Sequence, residues 1–177
     1  VSDRCRTQGA ETFERLLGPS ARILAPFEAS IATLPGYAEL PPLPDVGPEA
    51  SRRRLHDALR STLEALAEER PLLLVLDDLQ WADEQSLAFL RTLGADWFVG
   101  RSVVVLGTFR LEDPRSDLDA LLRATDVRTL RLGRLEATAV SEMVADMLAV
   151  EHAPEAVVSN LHRHTEGNPF FVAEYLP

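Results

Sequence analysis

The sequence contains no lysine, and all 18 of its basic residues are arginine. A G-x-x-x-x-G-K-[ST] loop, which cradles nucleotide phosphates in many hydrolases, is therefore excluded within these 177 residues. Cysteine is nearly absent as well, because Cys5 stands alone with no cluster of Cys or His around it. We predict an inert thiol that forms neither an internal disulfide nor a metal site.

Positive net charge and long apolar runs are also lacking. The formal net charge of −10 disfavours the broad electrostatic contacts that nucleic acids and anionic membranes require. The longest apolar run, residues 72–76, is far shorter than the roughly 20 residues of a transmembrane helix, and residues 1–6 lack the apolar core of a secretory signal. We predict a cytoplasmic protein without membrane contact and without direct nucleic-acid contact from this region.

Residues 1–50 are predicted to form a helical segment followed by a proline-rich connector. Apolar side chains recur in the first part at helical spacing, at Leu24, Phe27, Ile31 and Leu34. Five prolines between Pro35 and Pro48 then exclude regular structure, because proline has no backbone donor for a helix or a sheet.

Residues 51–135 are predicted to form an α/β core. A helix is expected to start at Ser51, and two further helical patterns lie at 84–93 and 116–123. Short apolar runs that are typical of buried strands alternate with them, at 72–76, 103–106 and 127–132. This alternation indicates fold class α/β, with a parallel sheet between helices on either side and ligands at the carboxyl ends of the strands.

Residues 136–177 are predicted to form a small helical subdomain. Apolar residues follow one helical face beneath a Thr138 cap, at Val140, Met143, Val144, Met147 and Leu148. Pro154 is expected to open the next helix, and the Asn168-Pro169 pair is a start signal for a third.

The segment PLLLVLDDLQWAD at 71–83 carries the chemistry of the chain. A carboxylate directly after a buried strand can bind Mg²⁺, and its neighbour can orient or deprotonate a water molecule. We assign Asp77 to the metal and Asp78 to the water, while a turn or a helix cap remains the structural alternative for Asp77. Trp81 is expected to pack as an apolar anchor, and Asp83 to cap the helix that starts at Glu84.

Arginine supplies two further candidates for phosphate contact. Arg110 follows the second strand, where a guanidinium suits a phosphate, although an ion pair with Glu112 or Asp113 is the alternative. The run of three arginines at 52–54 lies in the first turn of a predicted helix, where positive charge opposes the helix dipole. Either a solvated face or a phosphate site accounts for that run.

The segment at 77–83 resembles the Walker B segment of AAA-type ATPase domains in large bacterial signalling proteins, the signal-transduction ATPases with numerous domains (STAND). Similar domains include the ATP-binding regions of LuxR-type and maltose-regulator-like transcription factors, and origin-recognition-like AAA modules are relatives. The segment VVVLGTFR at 103–110 is similar to the family's sensor strand, with Arg110 as the sensor arginine. The segment GNPFFVAEYL at 167–176 is similar to the GxP segment of the helical lid. There the resemblance assigns Gly167 and Pro169 to the nucleotide, with the proline near adenine.

The resemblance implies a partial P-loop NTPase fold with ATP and Mg²⁺ as cofactors and an effector domain in the same polypeptide as partner. It covers residues 71–176 well and the preceding helices more loosely. The family's phosphate-binding loop precedes everything seen here, so we predict a fragment that is inactive by itself. The function that follows is the distal part of an ATP-binding and ATP-hydrolysing module of a transcriptional regulator or signal-transduction protein. The alternative is a non-catalytic protein-interaction scaffold derived from the ATPase fold.

Overall fold

A computed structural model describes residues 1–112, 116–124 and 127–176. The chain divides into two compact units, Val1–Val127 and Arg128–Pro177. The first unit contains the helices α1 (Ser2–Gln8), α2 (Ala10–Leu16), α3 (Ala21–Leu24), α4 (Pro48–Glu69), α5 (Glu84–Thr92), α6 (Ala95–Phe98) and α7 (Ser116–Ala124), and the strands β1 (Leu72–Leu76) and β2 (Val103–Gly107). The second unit contains α8 (Ala137–Leu148), α9 (Glu155–Thr165) and α10 (Pro169–Tyr175).

The helices α1 to α3 pack with α4 around the largest apolar core of the first unit. Its buried side chains include Cys5, Phe13, Leu16, Leu24 and Ile31. Burial raises the pKa of the Cys5 thiol, which disfavours the reactive thiolate. Between α3 and α4 the chain forms one short 3-10 helix, Ala29–Thr33, and the proline-rich part that follows it has no helix or strand before Pro48.

The start of α4 differs from the predicted start at Ser51. The helix begins at Pro48, the last proline of the connector, which occupies its first turn. A proline is tolerated there because the first backbone N–H groups of a helix have no acceptor within the helix. Pro48 therefore opens the helix instead of closing the connector.

Glu69, the last residue of α4, joins that helix to the two at the amino terminus. Its carboxylate accepts hydrogen bonds from Arg4 of α1 and from Arg15 of α2, whose Nη2 lies 2.6 Å from Oε1. One carboxylate therefore holds two guanidinium groups that come from different helices.

The sheet of the described residues has two parallel strands, with Leu72 paired to Val103 and Leu76 paired to Gly107. The fold is therefore α/β, as predicted. The predicted third strand at 127–132 is wrong, because residues 127–132 are irregular, and Leu130 and Leu132 are 83% and 85% exposed. An apolar run becomes a strand only where a neighbouring strand accepts its backbone hydrogen bonds, and no described strand lies beside this one.

The two faces of the sheet have different surroundings. One face packs on helices, since Leu72, Val103 and Val105 share a core with Trp97 of α6 and with apolar residues of α4 and α5. The opposite face is open, and its four apolar side chains are between 52% and 60% exposed: Leu73, Val75, Val104 and Leu106. The prediction of helices on both sides is therefore wrong for the described residues.

In the second unit, α8, α9 and α10 surround a core of Val140, Val144, Val158, Leu161 and Val172. The expected Thr138 cap is wrong, because α8 begins at Ala137 with Glu136 at the N-cap position, so that Thr138 lies inside the helix. Asn168 does cap α10, where its side chain accepts a hydrogen bond from the Phe170 amide at 3.1 Å. In the described parts of both units, no helix combines the length and the apolar character needed to span a membrane.

Candidate functional site

Parallel pairing of β1 and β2 brings the polar residues that follow both strands to one edge of the sheet. Asp77 and Asp78 follow β1, and Thr108 follows β2. The ladder continues past the strand ends, because the Thr108 amide donates to Leu76 at 3.0 Å and the Leu79 amide donates to Thr108 at 2.8 Å. Backbone hydrogen bonds on both sides of Asp77 and Asp78 therefore hold this turn against the neighbouring strand.

The Thr108 hydroxyl joins the two aspartates. It donates a hydrogen bond to Asp77 Oδ1, and it accepts one from the Asp78 amide at 3.0 Å. Among the described residues, no group donates to the second carboxylate oxygen of Asp77. Asp77 is exposed at the sheet edge, and Thr108 holds its Oδ1. It can therefore take part in binding a hydrated cation.

Asp78 adopts a left-handed backbone conformation, with φ of 56° and ψ of 48°. Aspartate tolerates this conformation better than most residues with a side chain. Its Oδ1 accepts a hydrogen bond from Gln80 Nε2 at 2.7 Å, and Gln80 is only 4% exposed. The turn therefore holds the second carboxylate against a buried amide.

Gln80 also ties this turn to Arg110. Its Oε1 accepts a hydrogen bond from the Arg110 amide at 3.2 Å, so a single side chain connects Asp78 with the backbone after β2. The Arg110 side chain is exposed, and within the described ranges it forms no ion pair, including none with Glu112. Asp113, the other alternative partner, lies outside the described residues.

Thr108 and Gln80 were not among the site residues predicted from the sequence. Both connect residues about thirty positions apart, which no local pattern reveals, although Gln80 and Thr108 each lie inside a segment that carried the resemblance. Asp83 caps α5 as predicted, since its carboxylate accepts a hydrogen bond from the Ser86 amide at 2.6 Å, which lowers the pKa of Asp83. The anchor role of Trp81 is wrong, because this side chain is 77% exposed.

Gly167 and Pro169 belong to the second unit, and local packing accounts for both. Gly167 has a positive φ of 72°, and a Cβ there would overlap the carbonyl oxygen of Leu135. Its own carbonyl accepts a hydrogen bond from the Leu135 amide at 2.7 Å. Pro169 is the first residue of α10, directly after the Asn168 cap. Their roles toward a nucleotide remain predictions.

Metal binding at the sheet edge would depend on few protein ligands. Within the described residues, no group of three or more His, Cys, Asp or Glu side chains is placed to hold a metal ion. Mg²⁺ commonly uses one or two carboxylates together with water and substrate phosphates. Asp77 fits that pattern, because it is exposed and Thr108 occupies only one of its two carboxylate oxygens.

Comparison with known families gives two matches. A family described as an AAA ATPase domain matches residues 3–106, more than half of the chain, and this range includes Asp77 and Asp78. A domain of unknown function (DUF8739) matches residues 136–177, which include Gly167 and Pro169. No curated protein and no solved structure matches the chain.

Proposed function

Because the chain belongs to the AAA ATPase domain family, we propose that it is the distal part of an ATP-binding and ATP-hydrolysing signalling module of the STAND type. Such a module would belong to a transcriptional regulator, as in LuxR-type proteins, or to another signal-transduction protein. The observation that carries the proposal is the pair Asp77 and Asp78, held at the carboxyl edge of a parallel sheet by Thr108.

Each polar residue at the edge has a proposed role. Asp77 holds Mg²⁺ through its free carboxylate oxygen, and Asp78 orients or deprotonates the attacking water. The exposed guanidinium of Arg110 contacts the terminal phosphate, while the Gln80 side chain fixes its backbone. When bound, Mg²⁺ would supply charge neutralisation for the phosphates. In the second unit, Gly167 and Pro169 are the proposed nucleotide residues.

The proposal requires a phosphate-binding loop from polypeptide other than these 177 residues, since the chain has no lysine. The open face of the sheet supports this requirement. Parallel sheets are normally covered on both faces, yet four apolar side chains of this sheet are more than half exposed. A further segment of the protein would cover them.

The same open face favours one alternative, a non-catalytic scaffold that binds a partner protein. In that case the sheet edge would keep its aspartates as turn and cap residues, and no nucleotide would bind. The absence of lysine is compatible with this function as well.

The test compares the 177-residue chain with the longest polypeptide that its gene encodes. We expect saturable binding of Mg-ATP by the longer protein in calorimetric titration, and its loss in Asp77→Ala and Arg110→Ala. Asp78→Asn should retain binding and slow hydrolysis, because the amide cannot take up a proton from water.

Three results would count against the proposal. Magnesium-dependent turnover by the 177-residue chain alone would show that no further loop is needed. Unchanged turnover in Asp78→Asn would remove that residue from its role. No binding by the longer protein would favour the scaffold.

A further inference from the structure

A cavity of about 560 Å³ opens in the first unit, away from the two aspartates of the sheet edge. It lies between α3, the proline-rich segment and the first two turns of α4. Its volume is within the range of pockets that bind small molecules. The residues that determine its chemistry are Arg22, Arg52 and Arg54, the carboxylate of Asp45, and the apolar walls.

The lining is positive although the protein is negative. The lining includes three arginines and one carboxylate residue, Asp45, in a chain whose net charge is −10. Among the described residues, none of the three arginines forms an ion pair. The lining therefore carries an excess of two positive charges, three arginines against Asp45.

Two of the arginines are held in place by neutral acceptors. Arg22 donates from Nε and Nη2 to the Leu40 carbonyl at 3.0 and 2.6 Å, and its guanidinium lies 5.0 Å from the centre of the Tyr37 ring. Arg54 donates from Nη1 to the Pro44 carbonyl at 3.0 Å. These contacts orient the groups and leave their charge intact.

The third arginine of the lining is Arg52, whose side chain makes no hydrogen bond within the described ranges. It shares the first two turns of α4 with Arg54, where positive charge is unfavourable to the helix dipole. Glu49 is the one acidic residue of the first turn, against the three arginines at 52–54. An anion bound by these arginines would offset the unfavourable position of their charges near the start of α4.

Apart from the polar side chains of Ser51 and Gln85, the other walls of the cavity are apolar. They include Phe27, which is 70% exposed, with Val46 and Leu55. A bare inorganic anion would leave these surfaces in water, whereas a ligand with an apolar body would cover them. The cavity therefore suits a molecule with one charged end and one apolar end.

We propose that this cavity binds a small organic phosphomonoester, a function beyond the ATPase module. The phosphate lies between Arg52 and Arg54, and the apolar body contacts Phe27 and Leu55. A phosphomonoester carries about −1.5 to −2 charges at neutral pH, which matches the excess of two positive charges in the lining better than one carboxylate does. Guanidinium groups also fit phosphate oxygens with paired hydrogen bonds.

The probe is phenyl phosphate, titrated into the full 177-residue chain in the presence of a chelator so that no Mg²⁺ takes part. We expect saturable binding that Arg52→Ala and Arg54→Ala each weaken about tenfold, as the loss of a charged hydrogen bond predicts. Arg53 is the matched control, because it lies between them in sequence and does not line the cavity. Arg53→Ala should bind as the wild type does. Circular dichroism checks that each variant is folded.

Two further titrations test the apolar part and the location. Inorganic phosphate should bind about tenfold more weakly than phenyl phosphate, because it lacks the ring. Asp77→Ala should leave the binding of phenyl phosphate unchanged, which separates this site from the proposed ATPase site. The proposal is overturned by absent saturable binding, by equal losses in Arg52→Ala and Arg53→Ala, by equal affinities for the two phosphates, or by loss in Asp77→Ala.

Discussion

The hydroxyl of Thr108 donates a hydrogen bond to the carboxylate of Asp77, which lies 31 positions earlier in the chain. The same oxygen accepts a hydrogen bond from the next backbone amide, that of Asp78. One small side chain therefore sets both the direction of a carboxylate and the path of the turn that follows β1.

Replacement of Thr108 by valine keeps the size of the side chain and removes the hydroxyl. We expect Thr108→Val to lower the free energy of unfolding by about 1 kcal/mol, because two hydrogen bonds lose a partner at an exposed position. Thr108→Ser keeps the hydroxyl and should stay closer to the wild type. Urea denaturation measures the difference, and equal stabilities of the two variants would contradict the bridging role.

Replacement of Gly167 by alanine tests the close packing of the second unit. The new methyl group would overlap the Leu135 carbonyl, and φ of 72° is unfavourable to alanine. We expect a loss of at least about 2 kcal/mol in the free energy of unfolding of this unit. Gly133→Ala is the control, because a Cβ at that position meets no atom within 4 Å. Similar thermal unfolding of the two variants would refute the packing argument.

Acid should weaken the connection between α4 and the amino-terminal helices. The bond from Arg4, with a further one from Arg15, holds the pKa of Glu69 below its ordinary value of 4.5. A lowered pKa contributes stability above the ordinary value, and this contribution is lost as the pH falls through the lowered pKa. Wild-type protein should therefore lose more stability than Glu69→Gln below about pH 4.5.

The pH dependence is measured by urea denaturation at a series of acidic pH values. Glu68→Gln provides the control, since Glu68 is exposed and pairs with none of the described residues. The Glu68 variant should follow the wild type. A Glu69→Gln protein with the same pH dependence as the wild type would show that the pair with Arg4 does not stabilise the fold.

His56 in α4 offers a route to greater stability. Its Nε2 is buried and has no hydrogen-bond partner among the described residues, and its ring meets Phe89 edge-on at 5.7 Å. A buried polar atom without a partner is costly, so His56→Phe should raise the free energy of unfolding by about 1 kcal/mol. His56→Gln keeps a polar group and should bring no gain. Thermal unfolding that ranks the glutamine variant higher would contradict this view.

Local pattern was enough to predict β1 and β2, because each is a short apolar run followed by residues that end a strand. The run at 127–132 has a similar composition and forms no strand. Apolar composition alone therefore does not decide between a strand and an irregular segment, since a strand also needs a neighbour for its backbone groups.

The sequence was enough to place the two aspartates at the sheet edge, but it did not reveal the residues that support them. Asp77 and Asp78 are visible in sequence because they directly follow an apolar run. Thr108 and Gln80 support them across the strand pair, and such partners follow from the register between Leu76 and Gly107, which no window of sequence contains. The predicted packing of Trp81 is wrong for a related reason, because burial of an aromatic ring depends on cover from other elements of the fold.

The open face of the sheet has a practical consequence for the purified chain. The face carries an exposed apolar patch, formed by Leu73, Val75, Val104 and Leu106. Among the described residues, each of the two strands also has one edge without a neighbouring strand, and this combination promotes aggregation. The −10 net charge keeps molecules apart by mutual repulsion, and added salt screens that repulsion. Colloidal stability should therefore fall as ionic strength rises. We expect the protein to stay monodisperse in buffers of low ionic strength.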